Sequence, residues 1–306
     1  MYSIVYNCVY VKYFLMFLEY GVLAAFIAAL SFASNSIVLR RGVLSGYVYS
    51  GTMISILTGV PTYLLFSFLT GEYVYLYSVP FEYLVLFVLV GLLHFAIGRY
   101  LYYLSVHYSG TIVSMPIMAS GQIIAAYLGI IILSEVITVY KIIGLLLTTI
   151  GFISFLRIGE GVKIVRKSIL LSSTAALIFA VTTLIIRYGL TIAKLPILGV
   201  FISYATALPV YLSLLSRRSI RDEFLNMNRY IFSYLVISAL LVNLGQLFKY
   251  IALNIAEVSI VGPIISTEII LNLIFSALIN RRYEIVNYKT ILGSIAIFLG
   301  IVAIVI

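Results

Sequence analysis

The chain nearly repeats itself after about 147 residues, and each copy of the unit holds five apolar runs. Ala28-Ala29-Leu30, Phe32-Ala33, Arg40 and Gly42 return with the same internal spacing as Ala175-Ala176-Leu177, Phe179-Ala180, Arg187 and Gly189. Pro61-Thr62-Tyr63-Leu64 is answered by Pro209-Val210-Tyr211-Leu212, and Pro116 by Pro263. Glu135, Gly144 and Gly151 are answered by Glu284, Gly293 and Gly300. The offset drifts only from 147 to 149, through small insertions of the kind a duplicated fold absorbs in loops. A unit that crosses a bilayer an odd number of times must enter from the opposite face in its second copy. The pattern therefore specifies two inverted repeats that meet near the midplane.

Composition makes the runs membrane spans. Of 306 residues, 63% are hydrophobic and 9% charged, and the mean hydropathy is +1.19. That is too little polar surface to clothe a water-soluble globule. The runs lie at about 20–39, 47–69, 82–104, 109–133, 140–156, 168–186, 195–215, 230–252, 257–279 and 288–306. Each approaches the ~20 residues a spanning helix needs, and in lipid a lone segment satisfies its own backbone only as a helix. The expected fold class is an all-α integral membrane protein, ten transmembrane helices arranged as two inverted five-helix repeats. The divisions are an N-terminal extension at 1–19, a first repeat at 20–157, a basic linker at 158–167 and a second repeat at 168–306. In the extension, Lys12 and Glu19 interrupt the apolar run and no small-residue cleavage pattern precedes Tyr20, which argues against a signal peptide. Met16 is an alternative start, with residues 1–15 an upstream extension, and a lipid-surface or disordered tail is equally compatible with the sequence. In-span prolines 61, 116, 209 and 263 form two symmetric pairs, expected to bend the helices that carry them.

The net charge of +9 does not indicate nucleic acid, because the basic residues form short clusters between apolar runs rather than one polar face. Odd-numbered loops hold 13 of the 19 Lys and Arg, which by the positive-inside rule places both termini outside. The single cysteine, Cys8, excludes an internal disulfide and a cysteine-based zinc site. Trp is absent, and the 26 Tyr are expected to form the interfacial belts.

The informative residues are the polar ones lipid would not tolerate. Glu268 follows Glu257 by 11 residues, about 16 Å of helical rise, which sets it near mid-membrane without a sequence-local cation. Its repeat-mate is Gly121, so the carboxylate breaks the pseudosymmetry, and Asn272 shares its face one turn later. Asn243, Gln246 and Tyr250 make an i, i+3, i+7 stripe, and Ser114, Met118 and Gln122 an i, i+4, i+8 stripe. Asn35, aligned with Thr182, and His94 complete the candidates for substrate binding or coupling, each with the alternative of hydrogen bonding between packed helices. Lys249 and Glu257 flank a tight hairpin and are expected to form a structural ion pair, with substrate contact as the alternative for Lys249. Arg99 is expected to snorkel to the interface.

Motifs for enzymatic chemistry are missing: no phosphate-cradling glycine loop, no histidine pair at i, i+4, no nucleophile elbow. No cofactor or metal is expected. Each repeat closes with Glu, then Gly nine residues on, then Gly seven further, after a helix with an in-span proline (Pro116, Glu135, Gly144, Gly151; Pro263, Glu284, Gly293, Gly300). In these residues the chain resembles the ten-helix EamA-type branch of the drug/metabolite transporter superfamily over residues 20 to 306. The resemblance implies a central cavity lined by helices one, three, four, six, eight and nine, helices five and ten as scaffold or homodimer contacts, and cytoplasmic termini, the reverse of the charge count. It carries no residue-level substrate motif. Many relatives have a basic second loop, whereas Glu72 and Glu82 flank it here. The expected function is that of a secondary transporter in the cell membrane, an exporter or exchanger of a small metabolite by alternating access, in contact with lipid and with Glu268 as a candidate proton-coupling group. The alternative is an intramembrane enzyme or a non-transporting receptor or scaffold.

Overall fold

The computed structural model describes residues 2–156, 165–279 and 288–305. Glu284 and residues 158–164 of the expected linker lie outside them. The described residues form α1 (Tyr2–Leu44), α2 (Val48–Thr70), α3 (Phe81–Thr111), α4 (Val113–Ile132) and α5 (Val139–Leu156) in the first half. The second half gives α6 (Arg166–Ile192), α7 (Pro196–Leu214), α8 (Arg229–Ile255), α9 (Val258–Ser266 and Glu268–Ile279) and α10 (Tyr288–Val305). Eight of these contain segments long and apolar enough to cross a bilayer. The shorter apolar segments Val139–Ile153 and Ile291–Val305 take the fifth place in each half. Outward-facing Leu65, Leu69, Ile131, Leu170, Leu292 and Phe298 are more than half exposed, an apolar surface suited to acyl chains rather than water.

Two-fold exchange of the halves is written into the packing. α1 packs on α8 and α6 on α3, while α2 meets α7, α4 meets α9 and α5 meets α10. Swapping each helix for its repeat-mate returns the same set. Individual contacts obey the rule as well: Gly98 lies against Phe179, and its mate Gly245 against Phe32. In the α5–α10 crossing, Gly151 faces the carbonyl of Gly293 and Gly144 that of Gly300. A Cβ built on Gly151 would sit 2.5 Å from the Gly293 oxygen, so the repeated glycines mark a backbone-to-backbone contact. Such cross-pairing of equivalent residues is what an isologous interface produces.

Loop carboxylates tie each half to the helix starts of the other. Glu72 accepts from the Leu198 N–H at 2.8 Å in the first turn of α7. Glu223 accepts from Ser50 N and Oγ at 3.0 and 2.9 Å near the start of α2. Glu135 accepts from Val258 N and Ser259 N at 2.7 and 2.8 Å at the start of α9. Each satisfies N–H groups that a helix start leaves orphaned, with charge of the sign its dipole favours.

Several expectations are corrected. Tyrosines do not serve only interfacial belts: Tyr63, Tyr83, Tyr103, Tyr204, Tyr211 and Tyr250 are among the largest fully buried side chains. Tyr63 and Tyr211 donate to the carbonyls of Asn243 and Ala96, at 2.7 and 2.8 Å, because a buried phenol needs an acceptor and a neighbouring helix offers one. The prolines of α4 and α9 do not act alike. α9 is interrupted at Thr267, four residues after Pro263, whereas α4 stays helical through Pro116. α3 carries a π-helical stretch at Gly91–Gly98, where the close approach of Gly91 to the Ser203 carbonyl fills the groove.

Candidate functional site

A cavity of about 60 Å³ lies between the halves, lined from α1, α3, α4, α6, α8 and α9, the six helices the resemblance implied. α1 contributes Phe32, Asn35 and Ser36, and α4 contributes Met118 and Gln122. The π-helical stretch of α3 and the turns after it bring His94, Arg99, Tyr102 and Tyr103 to the wall. α6 supplies Phe179, and α8 supplies Val242, Gln246 and Lys249. Glu268, the first residue after the break in α9, completes it. An interrupted helix that points a carboxylate at an interior cavity is the arrangement in which irregular backbone is tolerated at membrane depth.

The walls are symmetric in backbone and asymmetric in chemistry. Phe32 and Phe179 are repeat-mates and face each other's half. Ser36 approaches the Tyr102 hydroxyl at 3.5 Å, and its mate Thr183 accepts at 2.8 Å from Lys249, the mate of Tyr102. Arg99 and Gln246 are likewise mates, as are Gly121 and Glu268. All three charges thus sit where the other half has a neutral residue. Duplication supplied the frame, and these substitutions made the site one-sided.

Arg99 does not snorkel. It is 2% exposed and lies over the rings of Phe95 and Tyr204, at 4.7 and 5.0 Å from their centroids. Its fork donates to Ser55 Oγ at 3.0 Å and to the Tyr204 hydroxyl at 2.8 Å. In the sequence the arginine falls in the third helix near a turn, where snorkelling is the usual outcome. The structure turns it inward because α2 and α7 present two hydroxyls at the depth of its guanidinium.

The Lys249–Glu257 ion pair is also corrected. Glu257 pairs with Lys141 of α5, and Lys249 donates to Thr183 inside the bundle. Lys249 precedes the end of α8 by six residues, so it stays well below the hairpin, while Glu257 immediately precedes α9 and turns its carboxylate to the start of α5. Lys249 and Glu268 instead line the same cavity, without an ion pair within 4 Å between them. Glu268 therefore has on the opposite helix the basic residue that its own helix lacks. The two ion pairs within 4 Å among the described residues, Lys141–Glu257 and Arg218–Asp222, include none of the three cavity charges.

Of the other sequence candidates, Asn35, His94, Gln122 and Gln246 line the cavity. Asn35 accepts from Ser238 at 2.6 Å, and the His94 ring contacts Thr182 Oγ1 at 2.8 Å while stacked on Phe179. Asn243, Tyr250 and Asn272 do not line it. Asn243 is consumed in a network of its own, accepting from the Tyr204 hydroxyl at 2.8 Å and donating to the Ser55 carbonyl and Thr58 Oγ1. Tyr250 packs on Phe87 and donates to Ser203. The cavity stripe of α8 is Val242, Gln246 and Lys249, one residue around from the stripe of polar residues read in the sequence. Of the charged lining residues, that reading sent Arg99 to the interface and held Lys249 only as an alternative to its ion pair, and it missed Tyr102, Tyr103, Phe32 and Phe179 as site members. The i, i+3 spacing of Gln246 and Lys249 was the available signal that favours the cavity for Lys249. Among the described residues no group of three or more His, Cys, Asp or Glu is placed to hold a metal ion.

A solved structure titled only "Crystal structure of protein" is similar, with a TM-score of 0.68 at 12% identity, covering 92% of this chain and 95% of that one. That likeness speaks for the fold. No curated protein matches the sequence. The EamA-like transporter family matches twice, over residues 19–157 and 166–306, once on each half. With two copies of the family's unit filling nearly the whole chain, this multi-pass membrane protein belongs to the EamA-like transporter family.

Proposed function

We propose that the protein is a secondary carrier of the cell membrane that exports or exchanges a small polar metabolite by alternating access of the central cavity. The observation that carries this reading is one charged cavity held between two halves related by exchange. Two halves that can each rock against the other offer the cavity two equivalent ways to open. The polar wall gives a solute partners that lipid cannot. Arg99, Lys249 and Glu268 supply charge, with Gln122, Gln246, Asn35 and His94 supplying hydrogen bonds around them.

Counterflow in sealed proteoliposomes tests the proposal. Vesicles loaded with a pool of unlabelled small metabolites should take up a labelled member transiently above equilibrium, and protein-free vesicles should not. A receptor, scaffold or intramembrane enzyme gives no overshoot with any member of the pool.

A further inference from the structure

The charges in the cavity do not balance. Arg99 and Lys249 carry two positive charges against the single carboxylate of Glu268. Lys249 and Glu268, both on the cavity wall, cancel in the charge count, which leaves the guanidinium of Arg99 buried among two hydroxyls and two aromatic faces with no carboxylate partner. Neither ion pair among the described residues reaches it. A buried cation without a counter-charge is costly in a membrane interior, and an arginine fork is built to meet a planar oxyanion through two parallel hydrogen bonds. Ser55 and Tyr204 each take one hydrogen from the two terminal nitrogens, which leaves the other N–H groups of the fork uncommitted, and Arg99 is one of the residues that line the cavity.

We propose that the cavity binds a small monoanion bearing a carboxylate, held by Arg99, with Lys249 and Glu268 as a self-neutralising pair beside it. This deepens the carrier reading and rests on it for the passage of the anion across the membrane. One negative charge brings the site to neutrality, whereas a dianion overshoots and a cation adds to an existing excess. Size narrows the class further. At about 60 Å³, against the ~10–15 Å³ one water needs, the cavity holds roughly four to six water-sized groups. That is the skeleton of a short-chain acid. Phe32, Phe179 and Met118 provide the apolar wall for its carbon end.

The test compares three near-isosteric probes, propionate, propionamide and propylammonium, by the shift each produces in the unfolding midpoint of the full-length protein in detergent at neutral pH. Propionate should stabilise and the other two should not. In Arg99→Gln the affinity for propionate should fall by about ten- to hundredfold, the loss expected for a charge-assisted hydrogen-bond pair. Arg99→Lys, which keeps the charge and loses the fork, should retain the preference for the acid at reduced affinity, and guards against a Gln variant that does not fold. Equal stabilisation by the amide or the ammonium, no propionate shift at all, or a shift unchanged in Arg99→Gln would each overturn the assignment. Propionate binding without counterflow would leave the anion site standing and remove the carrier. Counterflow of neutral or cationic solutes without a propionate effect would do the reverse.

Discussion

Replacing Glu135 should weaken the joint between the halves by an amount the geometry sets. Both oxygens of this 8% exposed carboxylate accept backbone N–H groups of α9, at 2.7 and 2.8 Å, and the carboxylate sits at the positive end of that helix. Glu135→Gln keeps one acceptor but turns an amide N–H₂ toward the second donor. One bond to a charged acceptor is worth about 1.5–3 kcal/mol, and the charge at a helix start adds roughly 0.3–1 kcal/mol. The expected loss is about 2–4 kcal/mol, taking both terms together. Unfolding of the purified protein in mixed micelles, followed by circular dichroism against denaturant, measures it. Glu82→Gln is the control, since Glu82 is an exposed carboxylate bonded to the Tyr188 hydroxyl and should behave as wild type. If the Glu135 variant unfolds at the same point as the control, the repeated glutamate does not anchor α9 and its recurrence in the two halves needs another cause.

Four further outcomes follow from named contacts. In a double-mutant cycle, Lys141→Met and Glu257→Gln should couple by about 1–3 kcal/mol, because their side chains are 8% and 26% exposed and paired. Lys249→Met and Glu257→Gln should be additive within about 0.5 kcal/mol; coupling there would restore the hairpin pair. Gly151→Val forces a side chain onto the Gly293 carbonyl and should cost about 1–3 kcal/mol, read as the same denaturant shift, with wild-type stability refuting the close α5–α10 crossing. Glu72, in the loop after α2, has its carboxyl raised above the ordinary 4.5 by burial, against the opposing pull of the Leu198 and Ile197 N–H groups. The folded state therefore holds that proton more tightly than the unfolded chain, so stability falls as pH rises from about 4.5 through the raised value. Glu72→Gln should flatten that part of a pH scan, and an unaltered slope would count against it.

Much of the frame was legible because duplication leaves a record that needs no partner to read. Gly144 and Gly300, or Gly151 and Gly293, repeat in sequence, and the structure explains why by placing them against one another. The site was legible only in part. Periodicity locates a polar stripe on a helix but not the direction it faces. On α8 Asn243 and Tyr250 look toward α2, α3 and α7 while Gln246 and Lys249, a fraction of a turn away, look into the cavity. Ionisable residues misled for a related reason. Proximity along the chain proposed Glu257 for Lys249, but the partners that decided matters, Lys141, Thr183 and Glu268, come from other helices. Arg99 was invisible as a site residue because its hydroxyl partners, Ser55 and Tyr204, lie 44 and 105 positions away.

Alternating access makes one demand no static fold can meet, that the same wall be reached from both faces. Met118 lines the cavity, and Cys8 is the only native thiol, so Met118→Cys in a Cys8→Ser background carries a single reporter. A small membrane-impermeant thiol reagent applied to right-side-out and to inside-out vesicles should modify that cysteine in both preparations. Ala119→Cys, fully buried one position on, should react in neither. Modification of residue 118 from one face alone, under every substrate and pH condition, would contradict a carrier that opens its central cavity alternately to the two sides.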